Sequence, residues 1–595
     1  MTHEPSADSG QAGAGRPATG RMRWLAPLAL AALLGGLLFV GLGHDMPLRS
    51  HEALLAETAR NMYLDRPVQL ADGSRPSPWL APNFNDSPRL RKTPLPYWSV
   101  AGLAYLTGAV DELTARLPSA LAALGTVLIV LALVRRWDGR LASLAAAAAL
   151  VTSAEFLIVA RSALSDMPMT LFCTASLAAA WMAVETGGGR RFAWLLATGA
   201  ATALAMLAKG PMPAVVLPLP YAVAAVVMVV RLVRPKEPLK ARGTQWAWTL
   251  AGAVAGSLLF LAVVLPWPVY IWLQLPQAID IWRAESVDRS TGDFGHQEPI
   301  YFYIVRLPLL LAPWTIFFIH GLVLAAHRAW REPAARAPLI FVGAWFVGTL
   351  GAISVAAGKQ DHYLLPLLPA CAVYIALSVR HWLEPATPQI ERRGRWLIGG
   401  HAAALFLIVV AGGITYGLMR GGWIAGGPLS KMQGPLEHGL LLLALLAAPG
   451  SALALVYARL GRLRLSLAIL VATVAVAFLV ASSTLIGVTD RATVAAGFGR
   501  QVCREVPADA PLYSFTDSNN TVIFYAARPI PILAGAESVQ EELSRGRPFY
   551  LICHDKQVPL LPQSAAFAPV VHQKDPFRPG EGFWLLSAGA ATKAP

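Results

Sequence analysis

Glu52 and Asp166 are carboxylates, and Lys92, Lys209 and Lys359 cations, in polar breaks between long apolar runs. Ionisable groups are costly beside a bilayer, and the short breaks that hold Asp166, Lys209 and Lys359 need few charges for solubility, so their presence points to function. Together they suit the breaking of a bond to phosphate. Lys and Arg stabilise an anionic leaving group as its charge develops, and a carboxylate orients or deprotonates an incoming hydroxyl.

The densest stretch is the polar segment 44–114. Ser50 is a fitting cap for a helix over His51-Glu52-Ala-Leu-Leu-Ala-Glu57-Thr-Ala-Arg60-Asn-Met62. Leu54, Leu55, Thr58 and Met62 recur at helical spacing, which predicts a helix lying along the bilayer surface. The helix dipole favours Glu52 as an ionised carboxylate in the first turn, while Glu57 equally suits a water-facing role. Downstream, Arg89, Arg91 and Lys92 crowd one turn ahead of Thr93-Pro94-Leu95-Pro96-Tyr97-Trp98. Arg offers a bidentate fork and Lys a point charge, so this turn is a candidate phosphate seat. The alternative is a cluster snorkelling to lipid headgroups.

Other breaks add to this set. Asp166 precedes Pro168 at the start of an apolar run, where it is either a helix-start residue or a second functional acid. Lys209 occupies the tip of an abrupt turn, Leu207-Ala-Lys209-Gly210-Pro211. Pro266-Trp267-Pro268-Tyr270 has the aromatic anchors of a span end. It opens a segment holding Arg283, Glu285, Asp288, Arg289, Asp293 and His296, long enough for a flexible flap, with His296 a candidate ligand or acid/base. Lys359-Gln360-Asp361-His362-Tyr363 brings Lys359 and His362 to one more span entrance.

Membrane helices must position these residues. Of 595 residues, 55% are hydrophobic and 14% charged, with a mean hydropathy of +0.51. That excludes an ordinary soluble enzyme. Apolar runs recur from 25–43 to 465–487 and predict about thirteen spans of bilayer length. Basic residues mark every second loop, from Arg21 and Arg23, through Arg135, Arg136 and Arg140, to Arg459, Arg462 and Arg464. The positive-inside bias puts the N-terminus in the cytoplasm and all the charged breaks outside. The net charge of +14 largely reflects that bias and calls for no nucleic-acid partner. Residues 1–20 read as a disordered tail, and the first apolar run as a retained helix.

From 488 the composition becomes that of a soluble domain. Helix-like stretches at 491–505 and 537–544 alternate with strand-like ones at 511–515, 548–553 and 582–587. This predicts a small external α/β domain, a lid or scaffold over the membrane part, with His554-Asp555 in a surface turn. Cys173 and Cys371 read as packing residues in spans. Cys503 and Cys553 lie where a disulfide is permitted.

The sequence carries, in order, Glu52…Ala56-Glu57…Ala59-Arg60, Lys92-x-Pro94-Leu95, Asp166-Met-Pro168, Lys209-Gly-Pro211, Pro266-Trp267, Gly295-His296 and Lys359…Tyr363-Leu-Leu-Pro366. This order resembles the polyprenyl-phosphate-dependent GT-C glycosyltransferases. Within them it is similar to the bacterial lipid A aminoarabinose transferases and, more distantly, the protein O-mannosyltransferases. The resemblance runs over 25–380. It implies a polytopic α-helical membrane protein of GT-C type, residues 21–487, with a C-terminal external α/β domain, residues 488–595, in a bacterial inner membrane. The implied reaction is inverting transfer of a sugar from a polyprenyl (undecaprenyl-type) phosphate to an external lipid or protein acceptor.

On this resemblance Glu52 falls in the family's first acidic motif, Lys92 in its phosphate-facing turn and Asp166 in its second acidic loop. Together with the residues themselves this makes Glu52 and Asp166 the expected catalytic carboxylates, with Arg60, Arg91, Lys92 and Lys209 around the donor phosphate. His51, Glu57, His296, Lys359 and His362 are further candidates. Two positions depart from the family pattern. His51 precedes Glu52 where the family has an Asp-Glu pair, which leaves the principal carboxylate open. Arg91 stands where Glu often precedes the lysine, which weakens the case for a bound divalent metal and favours phosphate binding. No other cofactor is expected. Two rival functions are a secondary transporter, which would place charges at the bilayer midplane, and a membrane sensor whose external domain binds a ligand.

Overall fold

The computed structural model describes residues 22–43, 46–70, 72–233, 239–291, 298–421, 435–484, 491–562, 567–575 and 580–589. The expected tail 1–20 and His296 lie outside the described residues. Among the described residues nine helices are long and apolar enough to cross a membrane, or ten when the bent pair Phe302–Leu310 and Thr315–Arg331 counts as one span. Pro27–Phe39 and Pro218–Val233 are shorter apolar helices. Helix α1 is Met22–Phe39, α2 Ser50–Tyr63, α3 Leu95–Thr107 and α4 Glu112–Val151. At 1.5 Å per residue, α4 would run to about 60 Å, twice a hydrocarbon core. Gly139 resolves this with a φ of 82°, a left-handed break that joins two helices beside Arg135, Arg136 and Arg140.

Helices α5, Ala154–Ala160, α6, Asp166–Glu185, and α7, Gly188–Lys209, follow. Large rings fill the bundle core, with Trp181, Trp314, Trp345, Phe317 and Phe341 all buried. Helix Leu368–Leu383 is buried almost all round, whereas Leu239–Val264 exposes Leu250, Val254 and Leu258 as a lipid-facing helix does.

Prolines start the helices at the end of the bundle where the charged breaks converge. Pro94 caps α3 with Pro96 just inside it, and Pro168 lies in the first turn of α6. Proline's missing N–H is no loss in a first turn, where that donor has no partner. Helix α2 departs from the expectation of a helix lying on the bilayer. Ala53, Leu55, Ala56, Thr58, Ala59 and Met62 are all buried within the protein. Its second covering comes from a distant segment: Phe524 packs in one apolar cluster with Ala53, Ala56, Ala59, Met62 and Tyr97. Ser50 is the first helical residue rather than the cap, which is Arg49, whose N–H donates to Glu52 Oε2 at 3.0 Å.

A two-stranded hairpin, β1 Asn83–Phe84 and β2 Ser87–Pro88, turns the chain ahead of Lys92. The C-terminal part holds a five-stranded sheet in the order β4-β3-β5-β7-β6. Its strands are β3 Leu512–Phe515, β4 Ile532–Leu533, β5 Phe549–His554, β6 Phe567–Gln573 and β7 Phe583–Ala588. Strands β4, β3 and β5 are parallel, and β7 and β6 complete the sheet antiparallel. Edge strand β6 contains Pro569 beside a register shift, where a missing N–H is tolerated. Cys503 is exposed, Cys553 is buried, and both are free.

Candidate functional site

Asp166 opens α6 and Lys209 closes α7, so the turns at one end of two packed spans bring their side chains together. The Lys209 ammonium contacts Asp166 Oδ1, and both side chains are largely buried. Lys209 Nζ also lies 4.5 Å from the centre of the Tyr363 ring. The Gly210 N–H donates to Thr93 Oγ1 at 3.2 Å, which ties the basic turn of the first loop to the same corner. Lys92, His51 and His362 are all close enough to interact electrostatically with this pair or its neighbours. Residues from four separated breaks thus meet at one point.

A second charged layer adjoins it. Arg306 grips Asp361 with two guanidinium nitrogens, its Nε at 2.8 Å from Oδ1. Glu155, buried near the end of an apolar run, faces Asp361, Asp166 and Arg306. Neither Glu155 nor Arg306 was a sequence candidate. Both lie inside apolar runs rather than in breaks, and a lone charge within such a run was the signal available.

Glu52 occupies a different position. Its carboxylate accepts from Arg116 Nε at 3.0 Å and Nη2 at 3.2 Å, from the Ala163 N–H at 2.8 Å and from the Arg49 N–H. Arg116 is itself buried and donates further to the carbonyls of Leu42, Met46 and Pro47. Glu52 therefore clasps the start of α2, the start of α4 and the loop that ends at Asp166.

Arg60 turns toward the C-terminal sheet region. It donates to Glu57 at 2.6 Å and to the Phe524 carbonyl at 2.8 Å, and its guanidinium stacks 3.8 Å from the Phe524 ring centre. Burial pushes the Glu57 carboxyl up from its ordinary range, against the pull of Arg60 and Arg66. Arg91 is exposed on the basic turn. Buried Lys359 donates to the carbonyls of Glu298 and Ala356, past the end of helix Pro333–Val355, a favoured place for a cation. The segment expected to be a flexible flap is helical over Ala278–Thr291. Trp282 and Trp267 donate to the carbonyls of Leu90 and Leu80, so its leading edge is pinned to the first loop.

The C-terminal region docks on that loop rather than standing apart. Tyr525 Oη accepts from the Leu48 N–H and donates to Glu112, while Asn85 exchanges two hydrogen bonds with the backbone of Ile530. At the His554-Asp555 turn, Asp555 accepts from Trp584, His572 and the Gly582 N–H. This network is a built corner within the sheet. Among the described residues, no three of His, Cys, Asp and Glu converge as metal ligands.

A helical bundle whose span ends gather charges beneath a small α/β domain is the membrane architecture of the GT-C glycosyltransferases. The backbone overlays the crystal structure of ArnT from Cupriavidus metallidurans bound to undecaprenyl phosphate with a TM-score of 0.72, at 20% identity, over 97% of this chain and 100% of that one. At that identity the likeness is one of fold.

Sequence similarity points the same way. Residues 74–323 match the family model described as dolichyl-phosphate-mannose-protein mannosyltransferase. The chain is 27% identical over 450 residues to the undecaprenyl phosphate-alpha-4-amino-4-deoxy-L-arabinose arabinosyl transferase of Pseudomonas aeruginosa, covering 69% of this chain and 74% of that protein. It is 30% identical over 344 residues to an uncharacterized protein of Aquifex aeolicus, covering 57% of this chain and 61% of that one. Sequence similarity to membrane glycosyltransferases thus spans 69% of the chain in the Pseudomonas match, and likeness of fold spans 97% of it.

Proposed function

We propose that this chain is an integral-membrane glycosyltransferase that moves a sugar from a polyprenyl (undecaprenyl-type) phosphate to an acceptor at the outer face of a bacterial inner membrane. The N-terminus is cytoplasmic, and the part from 488 onward is external. The observation that carries the reading is the buried Asp166–Lys209 pair with Lys92, His51 and His362 around it.

The acceptor oxygen attacks the anomeric carbon, and the bond from that carbon to the donor phosphate oxygen breaks. The bonding electrons leave with the polyprenyl phosphate. Lys92 and Lys209 neutralise the growing negative charge. Asp166 orients the acceptor hydroxyl and receives its proton. One displacement inverts the anomeric centre. When the acceptor is itself a phosphate, Asp166 only orients it.

Glu52 and Arg116 position the Asp166 loop, and Arg60 holds the first loop to the external domain. Arg91, exposed beside Lys92, suits the approach of the donor phosphate. The donor class follows the named relatives, and a protein acceptor follows the description of the family model; a lipid acceptor is part of the proposal. Purified protein incubated with polyprenyl-phosphate sugars and lipid or peptide acceptors tests the reading. Transfer abolished in Asp166→Asn supports it. Solute transport without transfer over a broad donor panel overturns it.

A further inference from the structure

A cavity of about 260 Å³ opens where α1, the start of α2, α5 and helix Leu463–Thr484 meet. Its lining does not include Asp166, Lys209, Lys92 or His362. One wall is apolar, with Leu37, Leu157, Ile158 and Phe478, and Ile158 is 43% exposed on the outside of the bundle. The other wall carries three guanidiniums, Arg49, Arg116 and Arg161, against the single carboxylate of Glu52. Arg116 and Glu52 satisfy each other. Arg161 donates to the Leu37 carbonyl at 2.8 Å and has no carboxylate partner among the described residues.

A guanidinium against hydrocarbon without a counter-ion is unfavourable, and a phosphate oxygen pair matches its planar fork. Free phosphate would leave the apolar wall bare, and a zwitterionic headgroup brings its own cation. We propose that this cavity seats an anionic phospholipid, its phosphodiester on Arg161 and its first acyl methylenes against Leu157, Ile158 and Phe478. The volume takes the headgroup and the start of the chains, which leave past Ile158 into the bilayer. Glu52 shares the lining and holds the Ala163 N–H, so a seated lipid steadies the loop that leads to Asp166. The inference rests on the reading of the chain as a membrane-spanning protein and not on which sugar it moves.

Native mass spectrometry of the full chain, delipidated and re-exposed to phosphatidylglycerol or phosphatidylcholine, tests it. Wild type is expected to retain one phosphatidylglycerol, Arg161→Lys less because it loses the fork, and Arg161→Ala at least tenfold less. Phosphatidylglycerol is also expected to raise the thermal midpoint of wild type but not of Arg161→Ala. Equal retention by wild type and Arg161→Ala, equal retention of phosphatidylcholine, or displacement by millimolar inorganic phosphate would each overturn it. If Arg161→Ala does not fold, Ile158→Trp decides. It narrows the cavity at an exposed position, and full retention there refutes the seat. Sugar transfer is read separately, so loss of lipid binding and loss of the enzymatic reading are distinct results.

Discussion

Replacing Glu52 by Gln separates the positioning role from the catalytic one. In the native chain the Glu52 carboxylate takes two bonds from buried Arg116 and one each from the N–H groups of Ala163 and Arg49. Removing one partner of a buried ion pair destabilises by about 3–5 kcal/mol. Arg116 keeps the carbonyls of Leu42, Met46 and Pro47, so the expected loss lies near the lower end, about 3 kcal/mol. Arg116→Met leaves Glu52 with two backbone donors and should lose a similar amount.

The double variant removes both charges, and its loss should fall short of the sum by about 2–3 kcal/mol, as for residues in one network. Unfolding by dodecyl sulfate in mixed micelles, followed by tryptophan fluorescence, measures all four proteins. Single losses that add to within about 0.5 kcal/mol in the double variant would refute the clasp.

Other outcomes follow from the same geometry. Asp166→Asn and Lys209→Met should each reduce turnover about 10²–10⁴-fold, measured as transferred sugar per folded molecule. Lys359→Met, which removes a strut between two carbonyls, should lower stability by about 1–3 kcal/mol while turnover of the folded fraction stays close to wild type. Phe524→Ala should lose about 3–5 kcal/mol and speed hydrogen exchange selectively in α2, which it covers. Burial pushes the Asp555 carboxyl up, but hydrogen bonds from His572, Trp584 and Gly582 outweigh this and hold it below the ordinary range. A lowered carboxyl stabilises the fold above about pH 4 and loses that contribution as pH falls through its folded value. Asp555→Asn should therefore flatten the acid limb of the Trp584 unfolding curve.

The charged breaks and their convergence were legible because each stands out against apolar sequence. Asp166, Lys209, Lys92 and His362 meet in one corner that spacing alone anticipated only as a shared side. The surroundings of α2 were not legible. Its apolar face predicts a partner, but the partner is Phe524, more than 460 positions away, and periodicity carries no address for it. The contact of Arg60 with the Phe524 carbonyl was illegible for the same reason, since nothing local reveals it. Glu155 and Arg306 were not legible because they lie within apolar runs, whereas the other charges stand in the breaks between them. Strand β6 escaped because Pro569 interrupts its pattern, which an edge position permits.

We propose that Asp166 and Lys209 break a sugar–phosphate bond at the membrane surface. This is tested most directly by a single-turnover assay with purified protein, a radiolabelled polyprenyl-phosphate sugar and a lipid acceptor. Labelled acceptor with inverted anomeric configuration, formed by wild type and lost in Asp166→Asn and Lys209→Met while both variants remain folded, is the predicted result. Undiminished transfer by Asp166→Asn, or retained configuration in the product, would contradict it.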